Sequence, residues 1–320
     1  MRIVNFLAVD QPRLGFLVED RIFDPLAAEN SNFEEAGWFA STSNFITAGD
    51  PARTLVARMI EAGTGGWHSL SGLQLMAPIR PTTILCAGSN YRAHNLEKAS
   101  TPLSGLEPEF FVKTADCVIG PGEFIVHDGQ LTAKLDCETE LAIVIGRPGR
   151  HIRVDQALDH VFGYTIVNDV TARDRQVRRG PGGMVWYDLA RGKAFDTSAP
   201  LGPVIVTADE IGDPQSLRIS TRINGELRQS SSTTEMIWSC AELIHFFSTS
   251  FTLRPGMVII TGTPAGTAWS NDPELGGRWQ PSPGLVPAAR YCLPGDVVEC
   301  QIEKIGTLTN TVAESTGLGV

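Results

Sequence analysis

Apolar and polar residues alternate at the start of the chain, whereas its middle carries unbroken apolar runs. Residues 2–8 and 14–23 alternate on either side of a polar turn, which predicts a small hairpin or meander. Residues 141–145 and 161–167 are apolar at nearly every position, as expected of strands that are covered on both faces. The pattern therefore predicts a β-rich protein.

Helical periodicity is confined to short stretches. Asp50 and Pro51 precede an apolar stripe that stops at Gly63, which predicts a helix capped by Asp50. A second helix is predicted to have Thr234 as its N-cap and to run through the apolar positions of residues 237–247. The chain is therefore predicted to contain both strands and helices.

The composition of the sequence changes near residue 78. Pro78 and Pro81 bracket a short connector, beyond which the strands become richer in Val and Ile and the glycines denser. We therefore predict a small N-terminal domain over residues 1–78 and a larger domain over residues 79–320.

Charge and composition limit the partners of the protein. The 320 residues carry a net charge of −10, and a nucleic acid or an anionic membrane would usually require a basic face, so neither is expected as a partner. The apolar start is too short for a signal segment or a membrane span, which favours a cytoplasmic location. The six cysteines are scattered without a C-x-x-C motif and are expected to be reduced thiols.

Two carboxylates stand two residues apart at the entrance of the apolar run 141–145. Side chains alternate along a strand, so Glu138 and Glu140 are expected to share one face. Like charges this close repel each other unless a cation lies between them, and Mg²⁺, Mn²⁺ or Ca²⁺ suits a site made of oxygen ligands alone. The alternative is a solvated strand edge without a metal.

A second candidate pair follows a strand and a glycine turn. His94 and Glu97 are i,i+3 neighbours on a predicted helical turn. A carboxylate beside an imidazole fixes its tautomer and raises its basicity, as a general base near neutral pH requires. The alternative is an ordinary surface pair.

A third group lies along one face of a helix predicted over residues 171–178. In that helix the side chains of Asp169, Arg173 and Gln176 point the same way. Asp169 would add a third carboxylate to the metal site. Arg173 and Gln176 would hold the anionic end or the developing oxyanion of a substrate. The alternative is a solvent-facing polar stripe.

Eight motifs follow one another between residues 80 and 312. They are Gly88-x-Asn90-Tyr91-x-x-His94-x-x-Glu97, Phe110-Phe111-x-Lys113, Glu138-x-Glu140-Leu141, Asn168-Asp169-x-x-x-Arg173-Asp174-x-Gln176, Gly192-Lys193-x-Phe195-Asp196-Thr197, Thr261-Gly262-Thr263-Pro264-x-Gly266, Pro294-Gly295-Asp296 and Ile305-Gly306-Thr307-Leu308-x-Asn310. No single motif is decisive, but the ordered set resembles the fumarylacetoacetate hydrolase family.

The resemblance implies a fold, a cofactor and an assembly. The fold would be a mixed, β-rich α+β fold, with a small N-terminal α+β domain followed by a catalytic domain of rolled β-sheets. The assembly would be a homodimer. The cofactor would be Mg²⁺, with Mn²⁺ or Ca²⁺ in its place, and its implied ligands are Glu138, Glu140 and Asp169. The substrate would be a small anionic 2-oxo acid.

The resemblance also implies roles for the remaining motif residues. His94, oriented by Glu97, would activate a water molecule. The oxyanion and the leaving enolate would be stabilised by Lys193, Arg173 and Gln176. The implied substrate-binding residues are Tyr91, Lys113 and Thr263.

These roles lead to a functional hypothesis with an alternative. The leading hypothesis is a metal-dependent hydrolase that cleaves a carbon–carbon bond in an acylpyruvate or related β-diketo acid, as in the breakdown of aromatic compounds or sugar acids. The alternative is an isomerase or decarboxylase of 2-oxo diacids, such as 2-hydroxyhepta-2,4-diene-1,7-dioate or oxaloacetate. The pair His94 and Glu97 is the reason for placing hydrolysis first. An inactive metal-binding scaffold is disfavoured because these residues are all retained.

Two segments rich in Gly and Pro, residues 180–190 and 268–290, lack core periodicity and adjoin motif residues. Because a metal recognises only the shared oxo-acid end of a substrate, we predict that these segments form a partly mobile lid over the acyl end. The alternatives are a dimer contact or a surface excursion. The aromatic residues available to such a lid are Trp186, Tyr187, Trp269 and Trp279.

Overall fold

The computed structural model describes residues 1–9, 11–27, 33–98 and 106–315. Within these ranges the chain forms 21 β-strands and seven α-helices. The strands are β1 (Arg2–Ala8), β2 (Gln11–Val18), β3 (Arg21–Asp24), β4 (Gly66–Ser69), β5 (Leu75–Met76), β6 (Ile84–Gly88), β7 (Glu109–Lys113), β8 (Val118–Ile119), β9 (Phe124–His127), β10 (Leu135–Asp136), β11 (Thr139–Ile145), β12 (Val161–Asn168), β13 (Thr171–Ala172), β14 (Val177–Arg179), β15 (Val185–Tyr187), β16 (Ala199–Thr207), β17 (Arg218–Ile223), β18 (Glu226–Ser232), β19 (Val258–Ile260), β20 (Val297–Ile302) and β21 (Gly306–Glu314).

The helices are short. The α-helices are α1 (Thr42–Ala48), α2 (Asp50–Ala62), α3 (Arg92–Leu96), α4 (Arg173–Gln176), α5 (Leu189–Lys193), α6 (Ala208–Ile211) and α7 (Cys240–Ser250). Single 3₁₀ segments cover Glu34–Phe39, Ala115–Cys117, Val154–His160, Pro181–Gly183, Thr233–Glu235, Ala268–Asn271 and Pro273–Leu275.

Two sheets dominate the structure. The larger has 12 strands, in the order β4-β3-β2-β1-β16-β12-β11-β19-β6-β7, with β5 beside β1 and β8 beside β16. The smaller has five strands, in the order β18-β17-β20-β21-β9, and β10–β13 and β14–β15 form separate two-stranded ladders. The predicted mixed, β-rich α+β fold is confirmed.

Strand β11 lies at the centre of the core and is buried on both faces, as its apolar run predicts. Ile143 belongs to the core cluster that includes Leu308 of the smaller sheet. Val144, which points the other way, belongs to the cluster that includes Phe45 of helix α1. Because both faces of β11 pack against apolar side chains, the strand holds the residues at its entrance in fixed positions.

The N-terminal residues continue the large sheet. Strands β1 and β2 pair from Ile3 opposite Phe16 to Ala8 opposite Gln11, which confirms the predicted hairpin. Strand β1 also pairs with β16. The division into domains at residue 78 stays a prediction.

Helix α2 follows the predicted stripe with one difference at its start. Gly49 is the N-cap, and Asp50 lies in the first turn of the helix with Pro51. Gly63 ends the helix with φ of +65°, a left-handed conformation that glycine adopts without steric penalty.

Two predicted helices differ from the structure, one in its extent and the other in its start. The helix expected over residues 171–178 is reduced to the single turn α4, because β13 pairs with β10 and β14 pairs with β15 on either side of it. The helix expected to start at Thr234 begins at Cys240 instead. Ser239 caps it and shares a reciprocal capping box with Glu242, which satisfies more N-terminal amides than Thr234 would.

Candidate active site

The structure brings the three carboxylates of the predicted metal site together. Glu138, Glu140 and Asp169 are buried, and each offers an oxygen within 4.8 Å of the others. Glu138 directly precedes β11 and Glu140 is its second residue, so the alternation of side chains puts the two glutamates on one face. Asp169 follows the neighbouring strand β12, and its backbone N–H donates to the carbonyl oxygen of Glu138 over 2.8 Å. The convergence is therefore set by the pairing of two adjacent buried strands.

The electrostatics of the three carboxylates differ. Burial alone would raise the pKa of Glu138, but the charges of Arg173 and Lys193 hold that pKa well below its usual range. The pKa of Glu140 is raised by burial and by the charge of Asp169. The nearby cations thus do not fully offset the effect of burial and of the neighbouring carboxylate on Glu140.

The donor set fits a hard divalent cation. Glu140 Oε2 accepts one hydrogen bond, from the Gly262 backbone N–H over 2.6 Å. Asp169 Oδ1 lies 2.9 Å from Lys113 Nζ but accepts no hydrogen bond from the described part of the chain. Carboxylate oxygens with free lone pairs are the ligands that Mg²⁺, Mn²⁺ and Ca²⁺ prefer.

Lys193, at the end of α5, lies against this triad. Its Nζ donates to Glu138 Oε2 over 2.5 Å and to Asp169 Oδ2 over 2.6 Å. Although burial opposes its charge, these carboxylates raise its pKa, so Lys193 is a cation. The ammonium lies where it can donate to an anionic group bound beside the triad.

Arg173 forms the second buried cation. Its Nε donates to Asp136 Oδ2 over 2.8 Å, its Nη1 donates to Gln176 Oε1 over 2.9 Å, and its Nη2 donates to Glu138 Oε1. The i,i+3 spacing of Arg173 and Gln176 survives in the single turn α4, and the structure therefore joins both residues to the triad. The guanidinium also lies over the Trp269 ring, 5.1 Å from its centre.

His94 and Glu97 form the predicted pair at the end of α3. His94 Nδ1 lies 3.0 Å from Glu97 Oε2, and Glu97 Oε1 accepts from the backbone N–H of Gly266 over 2.8 Å. If the Nδ1 proton is donated to Glu97, Nε2 keeps its lone pair and has the form of a proton acceptor. Both side chains are buried, so this is no ordinary surface pair.

The three predicted substrate-binding residues lie in different places. Thr263 borders the cavity described below, and its hydroxyl donates to the carbonyl oxygen of Thr139 over 3.0 Å. Lys113 is fully buried and donates to Ser198 O over 2.8 Å and to the carbonyl oxygen of Lys193. The Tyr91 hydroxyl is buried in the core, where it has no hydrogen-bond partner among the described residues.

A narrow cavity of about 30 Å³ connects these groups. Four carboxylates and three cations line it, besides His94 and apolar or small residues. Its lining residues are Gly88, Ser89, His94, Lys98, Glu109, Phe111, Glu138, Glu140, Asp169, Arg173, Gln176, Leu189, Lys193, Gly262, Thr263 and Trp269. A larger cavity of about 270 Å³ is lined by Asp136 and Arg290 but by none of the triad, so the narrow cavity is the candidate site.

The aromatic residues proposed for a lid divide into two groups. Trp269 is buried in the cavity wall, with ring centres 6.4 Å from His94 and 5.7 Å from Tyr187. Trp186 is 44% exposed on β15, and Trp279 is half-buried. Of the four, Trp269 is the side chain that borders the cavity, and the lid itself stays a prediction.

Three charged residues in or beside the site, Asp136, Lys98 and Glu109, were missed by sequence reasoning. Asp136 accepts a hydrogen bond from Arg173 over 2.8 Å. It also accepts from the backbone N–H groups of Ala268 and Trp269, over 3.0 Å in both cases. Its place beside the Glu138 motif could have drawn attention to it. Lys98 lines the cavity and pairs with Glu109, and no local pattern marks it.

Comparison with known proteins identifies the family. The family model for the fumarylacetoacetate (FAA) hydrolase C-terminal region matches residues 83–313. The chain belongs to the fumarylacetoacetate hydrolase family. This family member is 38% identical over 309 residues to oxaloacetate tautomerase YisK of Bacillus subtilis, covering 93% of this chain and 95% of the relative.

Solved structures of the fumarylacetoacetate hydrolase family share the fold. A fumarylacetoacetate hydrolase from Exiguobacterium antarcticum matches with a TM-score of 0.76 and 32% identity, covering 98% of this chain and 99% of that chain. Maleylpyruvate hydrolase from Sphingobium, solved with manganese(II) and pyruvate, matches with a TM-score of 0.72 and 26% identity, covering 98% and 99%. Among the helices that the structure describes, we find none with the length and apolar character needed to cross a membrane.

Proposed function

We propose that this protein is a divalent-metal-dependent tautomerase that interconverts the keto and enol forms of a 2-oxo diacid such as oxaloacetate. The observation that carries the proposal is the shared cavity of an oriented imidazole, His94, and the carboxylate triad. Similarity to an oxaloacetate tautomerase over 93% of the chain supports it. The alternative hypothesis thereby takes precedence over hydrolysis.

The charges of the cavity support a metal and an anionic substrate together. Without a cation, the four carboxylates outnumber Lys98, Arg173 and Lys193 by one, and an anion would be repelled. Bound by Glu138, Glu140 and Asp169, Mg²⁺, or Mn²⁺ or Ca²⁺ in its place, would polarise the 2-oxo group and acidify the neighbouring C3–H. With the divalent cation bound, the net charge of the groups that line the cavity changes from −1 to +1, which favours an anionic substrate.

The protein's own groups move the proton. His94 Nε2 takes the proton from C3, while the C3–H electron pair forms the C2–C3 double bond and the oxygen on C2 becomes an enolate. Lys193 and Arg173 stabilise the charge on that oxygen, and Gln176 orients Arg173. His94 then returns its proton, directly or through water, to the enolate oxygen, so the enzyme is regenerated and the reaction is an isomerisation without a co-reactant. Trp269 and its neighbours exclude bulk water.

Carbon–carbon hydrolysis is the second candidate. The pair His94 and Glu97 can equally orient a water molecule, and a maleylpyruvate hydrolase shares the fold. In either reaction Lys113 would hold Asp169 and the backbone of Lys193 in place from outside the cavity lining. A homodimer and a cytoplasmic location remain part of the proposal.

The proposal is tested by following the approach of oxaloacetate to its keto–enol equilibrium, with metal-free enzyme and with added Mg²⁺ or Mn²⁺. We expect the metal-loaded enzyme to accelerate the exchange and His94→Ala to abolish the acceleration. Acylpyruvates, including fumarylpyruvate, are assayed in parallel for pyruvate release. Release of pyruvate without any acceleration of oxaloacetate exchange would replace tautomerisation with hydrolysis.

A further inference from the structure

Lys98 is a buried cation that the proposed proton transfer does not use. It follows Glu97 directly, and its side chain is only 4% exposed. Its Nζ lies 3.1 Å from each carboxylate oxygen of Glu109, the first residue of β7. A lysine this deeply buried is rare unless its charge is compensated.

Glu109 compensates the charge of Lys98 only in part. Burial lowers the pKa of Lys98 in spite of the nearby carboxylate, which means that the ammonium remains under-stabilised. An ammonium has three N–H donors, and among the described residues Lys98 uses them only for its two contacts to Glu109. A second anion at this position would therefore be stabilising.

Lys98 and the triad border the same cavity. Its Nζ lies 5.6 Å from the centre of the Tyr187 ring, Tyr187 contacts Trp269, and Trp269 contacts His94. These ring contacts connect Lys98 to the proton-transferring group, and Trp269 also contacts Arg173 in the wall of the cavity. A ligand with one anionic group at the triad can present a second anionic group to Lys98.

We propose that Lys98 binds the distal carboxylate of the substrate and makes this site selective for 2-oxo diacids over 2-oxo monoacids. The inference rests on the proposed function for the identity of the reacting end, but the binding step itself needs no turnover. Removing one partner of a buried, charge-assisted hydrogen bond weakens binding strongly. A monoacid has no distal carboxylate for Lys98 to bind, so Lys98 would contribute nothing to its affinity.

The test compares two unreactive ligands that differ only in the distal group. N-oxalylglycine ends in a carboxylate, and N-ethyloxamate carries a methyl group instead. Their affinities for the Mg²⁺-loaded enzyme are measured by calorimetry for wild type, Lys98→Met and Lys98→Gln. We expect both variants to lose about 100-fold in affinity for N-oxalylglycine and less than about 3-fold for N-ethyloxamate. Lys304→Met, a lysine remote from the cavity, should change neither affinity.

Retained binding of N-ethyloxamate shows that the site of each variant is folded. Equal losses for the two ligands, or no loss for either, would overturn the proposed role of Lys98. Selective loss in an enzyme that does not tautomerise oxaloacetate would refute the proposed function and leave this inference standing. Tautomerisation of oxaloacetate without a selective loss of N-oxalylglycine binding would support the proposed function and refute the proposed role of Lys98.

Discussion

Arg173 and Asp136 form a buried ion pair in which Nε donates to Oδ2 over 2.8 Å. The same carboxylate accepts the backbone N–H groups of Ala268 and Trp269. Asp136 therefore fixes a guanidinium of the site and the aromatic wall that covers it. Neither charge is exposed to solvent, so neither can exchange its partner for water without opening the core.

Replacing Asp136 should damage activity and stability together. Asp136→Asn keeps the shape but removes the charge, which leaves Arg173 under-compensated in a buried site. We expect the free energy of unfolding to fall by about 3–5 kcal/mol, and kcat to fall about 10–100-fold because Arg173 and Trp269 lose their fixed positions. Denaturant unfolding and steady-state rates measure the two effects. Asp155→Asn, in an exposed pair, should change neither; an unchanged kcat in Asp136→Asn would contradict the positioning role.

Metal binding should depend on Glu140 without disturbing its neighbours. In the described structure Glu140 makes no ion pair, so Glu140→Gln removes a metal ligand while Arg173 and Lys193 keep their partners. At Mn²⁺ concentrations near 100 times Kd, wild type should gain about 2.7 kcal/mol of stability, seen as a higher Tm. Glu140→Gln should lose most of this Mn²⁺-induced stabilisation. In wild type, EDTA should remove the stabilisation. Glu226→Gln, at an exposed glutamate, serves as the matched control, and an equal Mn²⁺ shift in Glu140→Gln would exclude Glu140 as a ligand.

His94 and Glu97 should act as one unit. Since Glu97 works through the orientation of His94, we expect His94→Ala, Glu97→Ala and the double variant to lose similar activity, about 10²–10⁴-fold in kcat. Mn²⁺ binding should survive in all three, because neither residue belongs to the triad. Losses that multiply in the double variant would show that the two side chains act independently.

Acid stability should depend on Asp296. Arg290 donates two hydrogen bonds to it, over 2.6 and 2.8 Å, and these hold the pKa of Asp296 well below its usual range. A depressed pKa stabilises the fold above the unfolded-state pKa of about 3.9, and this contribution disappears as the pH falls toward the folded-state pKa. Asp296→Asn should thus lose about 1 kcal/mol at pH 7, a modest amount because the exposed Arg290 is screened by solvent. The difference from wild type should shrink below about pH 4. Urea unfolding at several pH values measures it, with the exposed Asp20→Asn as control; a difference that is constant with pH would contradict the mechanism.

Sequence alone determined the parts of the site that depend on local geometry. Alternation along one strand puts Glu138 and Glu140 on the same face, and i,i+3 spacing on one helical turn brings His94 to Glu97. Both relationships hold because neighbouring residues in a strand or a turn have fixed relative directions. The β-rich fold was predictable for the same reason, since apolar runs such as that of β11 specify burial on both faces.

Tertiary structure decided the rest. Strand pairing on both sides of α4 outweighed the helical pattern of residues 171–178, because ladder hydrogen bonds and burial override weak local propensity. The contact of Asp136 with Arg173 spans 37 positions, and that of Lys98 with Glu109 spans 11 positions between different elements. No local pattern encodes such distances, so only the packing of strands and loops shows that Lys98 lines the same cavity as the triad.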